Sequence, residues 1–198
     1  MRNLLCIAIM LFISNFVYAQ SHLKTGTAAP LFKAQTFKGN TFDLKNETHN
    51  KQVVIMFYRG QWCPYCNQQM SELQDSLEYI TNENAVIIAI TPEKPEEISK
   101  TIEKTGASFD IIYDENHLIM DLYKVSFKIS KTKNTLYKAW GIDINKASGN
   151  NDLALPVPAT YIINQQGIIT GSFFDENYKN RISVKEIIAT LKLGNSSF

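Results

Sequence analysis

The residues of this sequence best suited to chemistry are two cysteines with two residues between them, Cys63-Pro64-Tyr65-Cys66. Thiol exchange needs an exposed, stabilised thiolate and a second thiol near enough to release the first intermediate. The run before the pair, Val53-Val54-Ile55-Met56-Phe57-Tyr58, is apolar, β-branched and aromatic, which predicts a buried central strand. After it, Met70, Leu73, Leu77 and Ile80 fall at helical spacing, with Gln68, Glu72, Asp75 and Glu78 on the other side. That spacing predicts one amphipathic helix from Pro64 to about Thr81. Strand, pair and helix in this order put Cys63 at a helix N-terminus, where free backbone N–H groups and the helix dipole favour a charged sulfur. Cys66, a turn further in and covered by the helix, is placed to wait as the resolving thiol. Residues three apart share a face, so the two can close a small disulfide ring. Pro64 has no N–H to leave unpaired in the first turn and aims Cys63 outward, while Trp62 and Tyr65 shape the surface around the sulfur.

Rival uses of the pair lack their other parts. A zinc site needs two more ligands, but His22, His49 and His117 are scattered at no ligand spacing. Haem attachment needs His directly after the second cysteine, and residue 67 is Asn. A purely structural disulfide around two residues would constrain little of the unfolded chain. No glycine-rich phosphate loop points to a bound nucleotide or flavin, so the reading carries no cofactor and no metal. His117 begins a short helix and reads as a packing or solvent-facing residue.

The elements that must position the pair follow from period and punctuation. Thr36 to Leu44 reads as a small hairpin turning at Gly39-Asn40. Ala85 to Ile90 is a second buried strand, Pro95 to Lys104 a helix stopped by Gly106, Phe109 to Tyr113 a third strand, and His117 to Lys124 a short helix. Ser126 to Leu155 loses its periodicity and reads as an insertion or long loop. Ala159 to Asn164 and Ile168 to Phe174 form a hairpin, and Val184 to Leu193 a closing amphipathic helix. The expected fold is α/β and thioredoxin-like: a mixed central sheet with helices on both faces and an N-terminal β-hairpin extension.

Residues 1–19 read as a cleavable signal peptide: basic Arg2, an apolar run from Leu4 to Ile13, and Val17-Tyr18-Ala19 before the cut. That run is about ten residues where a membrane span needs about twenty. Cys6 leaves with the peptide, and the expected location is periplasmic or otherwise extracytoplasmic. Residues 20–198 fit one domain. There, nineteen basic side chains balance nineteen acidic ones without a block of like charge. Nucleic acid is therefore a poor partner, as is a membrane surface once the signal is gone.

The run Phe57-Tyr58-Arg59-Gly60-Gln61-Trp62-Cys63-Pro64-Tyr65-Cys66 resembles the bacterial peroxiredoxin-like branch of the alkyl hydroperoxide reductase and thiol-specific antioxidant family. Gly26, Ala29, Pro30, Phe32 and Gly39 resemble its opening, and Val157 to Asn164 with Gly167 its late strand and turn. The resemblance implies an antioxidant thiol peroxidase. Cys63 would attack the peroxide O–O bond and become a sulfenic acid, Cys66 would condense with it into a disulfide, and a thioredoxin-like thiol donor would restore both. Two family features are missing. Gly60 stands where the family has Thr or Ser, with Met56 at the family's earlier Pro, and Pro158 stands where it has a late-strand arginine. Arg59 is a candidate replacement for that arginine, or else a surface cation. Pro158 instead resembles the cis-proline of thioredoxins. A second reading follows, a thiol-disulfide oxidoreductase acting on protein disulfides, and a third is a non-catalytic binding module using the 126–155 region.

Overall fold

The computed structural model describes residues 22–195 of the 198-residue chain; the expected signal peptide and its cleavage site lie outside them. Strand β3 (Gln52–Phe57) is the centre of the sheet. It runs parallel to β4 (Ala85–Thr91), which is in turn parallel to β5 (Asp110–Tyr113). On its other edge β3 pairs antiparallel with β8 (Ala159–Ile163), which pairs antiparallel with β9 (Ile169–Phe174). The order β5-β4-β3-β8-β9 is the expected mixed sheet.

Alternation along β3 sends its side chains to two cores. Val54, Met56 and Tyr58 face one that also holds Met70, Leu73 and Ile80, from helices α2 (Pro64–Asp75) and α3 (Leu77–Asn82). Ile98 of α4 (Pro95–Thr105) and Ile187 and Leu191 of α8 (Val184–Asn195) complete it. Val53, Ile55 and Phe57 face a second core with Leu44 of α1 (Leu44–Thr48) and Ile119 and Met120 of α5 (Leu118–Leu122). Phe42, from the hairpin of β1 (Lys33–Gln35) and β2 (Thr41–Asp43), closes that side. The hairpin turns through Gly39-Asn40 as expected, but its first strand lies before Thr36.

Two expectations about elements need correction. The helix from Pro64 to Thr81 is two helices, broken at Ser76, whose N–H donates to both Glu72 O and Gln74 O. The region 126–155 is not a long loop: it contains β6 (Ser126–Lys128), α6 (Lys131–Ala139), α7 (Ile144–Ser148) and β7 (Ala154–Pro156). Ser130 and Asp143 cap the two helices by accepting from Lys133 N and Lys146 N, and β6 pairs antiparallel with β7. The region builds its own small core from Ile129, Tyr137, Ile144 and Leu155, with Trp62 packed against it. Its helices are too short and too polar outside to show a clear apolar period. His117, as expected of a packing residue, is buried, and its Nδ1 lies 3.2 Å from Asp152 Oδ2.

Leu73 is fully buried and holds α2 against the sheet. Leu73→Ala should lower unfolding stability by about 2–5 kcal/mol, read as a lower urea midpoint at unchanged slope.

Candidate active site

The site forms where β3 and β4 end. There β3 has a parallel neighbour, β4, on one edge and an antiparallel one, β8, on the other, and the chain leaving β3 carries the cysteine pair. Past Tyr58 the chain turns: Cys63 N–H donates to Gly60 O at 3.0 Å, and Cys66 and Asn67 N–H both donate to Cys63 O at 3.1 Å. Cys63 is thus the N-cap of α2, with extended backbone, and Pro64 begins the helix. Asn67 Nδ2 donates to Gln61 O at 2.8 Å, tying the helix back to the turn. Cys63 and Cys66 form a disulfide with Cα atoms 5.3 Å apart.

The expectation of an outward-facing Cys63 is corrected: Cys63 is 1 % exposed and Cys66 0 %. Trp62 and Tyr65 pack against the core cluster that contains both sulfurs, while Pro64 faces solvent. Pro158 is buried and borders a cleft of about 280 Å³ shared with Arg59, Phe127 and Tyr178. Its resemblance to a cis-proline fails, because there is no cis peptide bond among the described residues. Val157 N–H donates to Val125 O at 2.8 Å and β7 is held by β6, so the chain reaches Pro158 extended, in the isomer that X-Pro bonds ordinarily favour.

Arg59 is no surface cation. It is 3 % exposed, and its guanidinium carbon stands 4.8 Å from the ring centre of Trp62, 5.6 Å from that of Tyr137 and 4.5 Å from that of Tyr178. It also donates to the Tyr137 hydroxyl. Three aromatic faces offset part of the cost of burying this charge. Tyr137 comes from the 126–155 region, so that region helps build the site.

Sequence reasoning missed a second cation, Arg181. Its Nη2 donates to Cys66 Sγ at 3.6 Å, and its Nη1 donates to the carbonyls of Tyr178 and Asn180. Burial, and then the nearby charge of Arg59, hold Arg181 down to about 10. Among the described residues neither arginine forms a salt bridge, and the Nε of each is buried without a hydrogen-bond partner. Arg181 follows β9 in an irregular segment, where no periodic signal points at it.

The third missed group is Glu93, beyond the end of β4. It is 1 % exposed, and its Oε2 accepts from Gln61 N–H at 2.7 Å. It explains Gly60, whose φ is +153°: a Cβ there would lie 2.3 Å from Glu93 Oε1 and 2.6 Å from Trp62 Nε1. The carboxyl fills the space that a Thr or Ser at position 60 would need. Burial, reinforced by the charge of Glu97, pushes Glu93 up to about 8; the Gln61 N–H and the charges of Lys104 and Lys100 oppose the rise. Between its ordinary value of 4.5 and about 8, the folded protein binds a proton that the unfolded chain has lost. Stability from this group therefore falls as pH rises through that window and is level above it. Glu93→Gln should remove the decline, flattening the stability curve between pH 5 and 8 by up to about 1.4 kcal/mol per pH unit. Denaturant titrations of both proteins across that range check it, and parallel curves would contradict it.

Among the described residues no group of three or more His, Cys, Asp and Glu side chains is placed to hold a metal ion. The model of the AhpC/TSA family matches residues 25–172. A putative peroxiredoxin bcp of Helicobacter pylori is 25 % identical over 169 residues, covering 85 % of this chain and 98 % of its own. Peroxiredoxin Bcp of Escherichia coli K12 is 27 % identical over 103 residues, covering 52 % of this chain and 65 % of its own. The thiol-disulfide oxidoreductase ResA of Halalkalibacterium halodurans is 27 % identical over 115 residues, 58 % of this chain and 64 % of its own. The crystal structure of peroxidoxin BcpB from Mycobacterium tuberculosis superposes with a TM-score of 0.67 at 15 % identity, covering 87 % of this chain and 98 % of its own. That likeness shows a shared fold. A family match over most of the chain, with the cysteine pair between the central strand and α2, makes this protein a member of the AhpC/TSA family and a thiol-dependent oxidoreductase.

Proposed function

We propose that the protein is an exported thiol peroxidase in which Cys63 and Cys66 carry the reaction. The observation that carries this reading is the Cys63–Cys66 pair at the start of α2, with the Arg181 guanidinium on Cys66 Sγ, that of Arg59 over the ring of Trp62, and no salt bridge to either arginine among the described residues. A thiolate at Cys63 attacks the terminal peroxide oxygen, the O–O bond breaks, and water or an alcohol leaves once the departing oxygen gains a proton. The sulfenic acid at Cys63 then condenses with Cys66, and an external thiol donor of the thioredoxin type restores both thiols. The neighbouring positive charges favour the thiolate and the negative charge that develops on the departing oxygen. Export rests on the reading of residues 1–19 and places the work outside the cytoplasm. The likeness to ResA supports a second reading, exchange with protein disulfides, in which Cys63 attacks a substrate disulfide and Cys66 releases it.

Stopped-flow mixing of the reduced protein with hydrogen peroxide, following tryptophan fluorescence, separates the two. Trp62 packs against the cluster that holds the disulfide and reports its closure. A fast phase that disappears in Cys63→Ser is expected. Oxidation no faster than that of a free thiol at the same thiolate fraction, together with rapid reduction of a protein disulfide, would move the assignment to exchange.

A further inference from the structure

Arg181 touches the second cysteine, not the first: its Nη2 lies 3.6 Å from Cys66 Sγ. Its other terminal nitrogen is spent on the carbonyls of Tyr178 and Asn180, which fix the guanidinium in place. The charged groups sharing its surroundings are Arg59, whose charge acts on it, and Glu72, Asp175 and Lys179 along an open cleft of about 510 Å³, none of which forms a salt bridge with it. In the disulfide state, Arg59, which is buried, and Arg181, which is half-buried, are near enough for the charge of Arg59 to disfavour that of Arg181, and neither forms a salt bridge among the described residues. Reduction creates an anion at the sulfur that Arg181 already contacts.

We propose that Arg181 is a catalytic residue acting on Cys66, holding the resolving thiol as a thiolate in the reduced protein and receiving it as the leaving group when a donor thiol reopens the disulfide. In the first step the Cys66 thiolate attacks the sulfenic sulfur of Cys63. The S–S bond forms, the S–O bond breaks, and the departing hydroxide takes a proton from solvent to become water. In the return, a donor thiolate attacks Cys63, the S–S bond breaks, and the electron pair leaves on Cys66 beside Arg181. A second donor thiolate then attacks the mixed disulfide, freeing Cys63 as a thiolate and leaving the donor as a disulfide. A lower thiol pKa raises the thiolate fraction at neutral pH and makes a better leaving group, at a smaller loss of intrinsic nucleophilicity. Both directions gain from the same contact. The same charge also makes the pair easier to reduce, because it favours the reduced form over the disulfide.

The inference uses the peroxidase reading for its first step, but its test does not depend on peroxide. In the Cys63→Ser protein, Cys66 is the one thiol of residues 22–195, and its thiolate absorbance can be titrated directly in protein lacking residues 1–19. Cys66 is expected to titrate well below the ordinary thiol value of about 8.5. Arg181→Met should raise it by about one to three units, and Arg181→Lys, which keeps a charge in the site, should recover part of the shift. In the protein with both cysteines, Arg181→Met should leave Cys63 sulfenic acid available to a dimedone trap after a single peroxide turnover, where the unmodified protein shows little. A Cys66 that titrates at about 8.5 or above, or at the same pH with Arg, Lys and Met at position 181, would overturn the proposal. If Arg181→Met does not fold, the position of the Cys66 titration and its change in Arg181→Lys decide the matter. Absence of any reaction with peroxide, alongside the expected titrations, would remove the peroxidase reading and leave the role of Arg181 in disulfide exchange.

Discussion

Strand β3 is hydrogen-bonded along both edges and buried on both faces, and that double constraint fixes everything the site needs. A slip of one residue would exchange the side chains of its two cores, so the register of β3 against β4 and β8 is tightly specified. The turn after Tyr58 then starts at one place only, and Cys63 falls at the N-cap of α2. Arg59 and Cys63 follow the end of β3 and Glu93 the end of the neighbouring β4, so the same pair of strand ends brings the three to one end of the sheet.

Charge placement around the pair has a consistent logic. One acid, Glu93, stands against the Gly60 turn on the approach to Cys63 and is driven toward its neutral form by burial. Two cations, Arg59 and Arg181, adjoin the pair's surroundings, one stacked among aromatic rings that include Trp62 and the other against Cys66. The site is thus poor in fixed negative charge and rich in positive charge, which suits chemistry whose intermediates are thiolates and departing oxyanions. The 126–155 region takes part by supplying Tyr137, which accepts from Arg59 and covers Trp62.

What could be read in the sequence was whatever depends on local period. The central strand, the cysteine turn, the Pro95 helix with its Gly106 stop and the 159–174 hairpin all announce themselves through alternation or capping, and the structure has them. Helices α6 and α7 escaped because α6 is mostly exposed, with Tyr137 its one buried residue, and α7 is only five residues long, so no period accumulates in either. Arg181 and Glu93 escaped for a different reason: their roles arise from contacts across the fold, 115 residues apart for Arg181 and Cys66 and 32 for Glu93 and Gln61. Glu93 did carry a weak signal, as an acidic residue just past the end of a buried parallel strand beside the cysteine turn. Gly60 looked like the loss of a functional hydroxyl; the structure shows the space taken by a carboxyl from the neighbouring strand end.

The central claim is that the Cys63–Cys66 pair forms its disulfide in the course of reducing a peroxide. Intact-mass analysis of the reduced protein, quenched after mixing with an equimolar amount of hydrogen peroxide, tests it most directly. The account predicts a product lighter by two hydrogen atoms, with peptide mapping that joins Cys63 to Cys66. A product heavier by one or more oxygen atoms with both cysteines unlinked, or unreacted thiols while the peroxide persists, would contradict it.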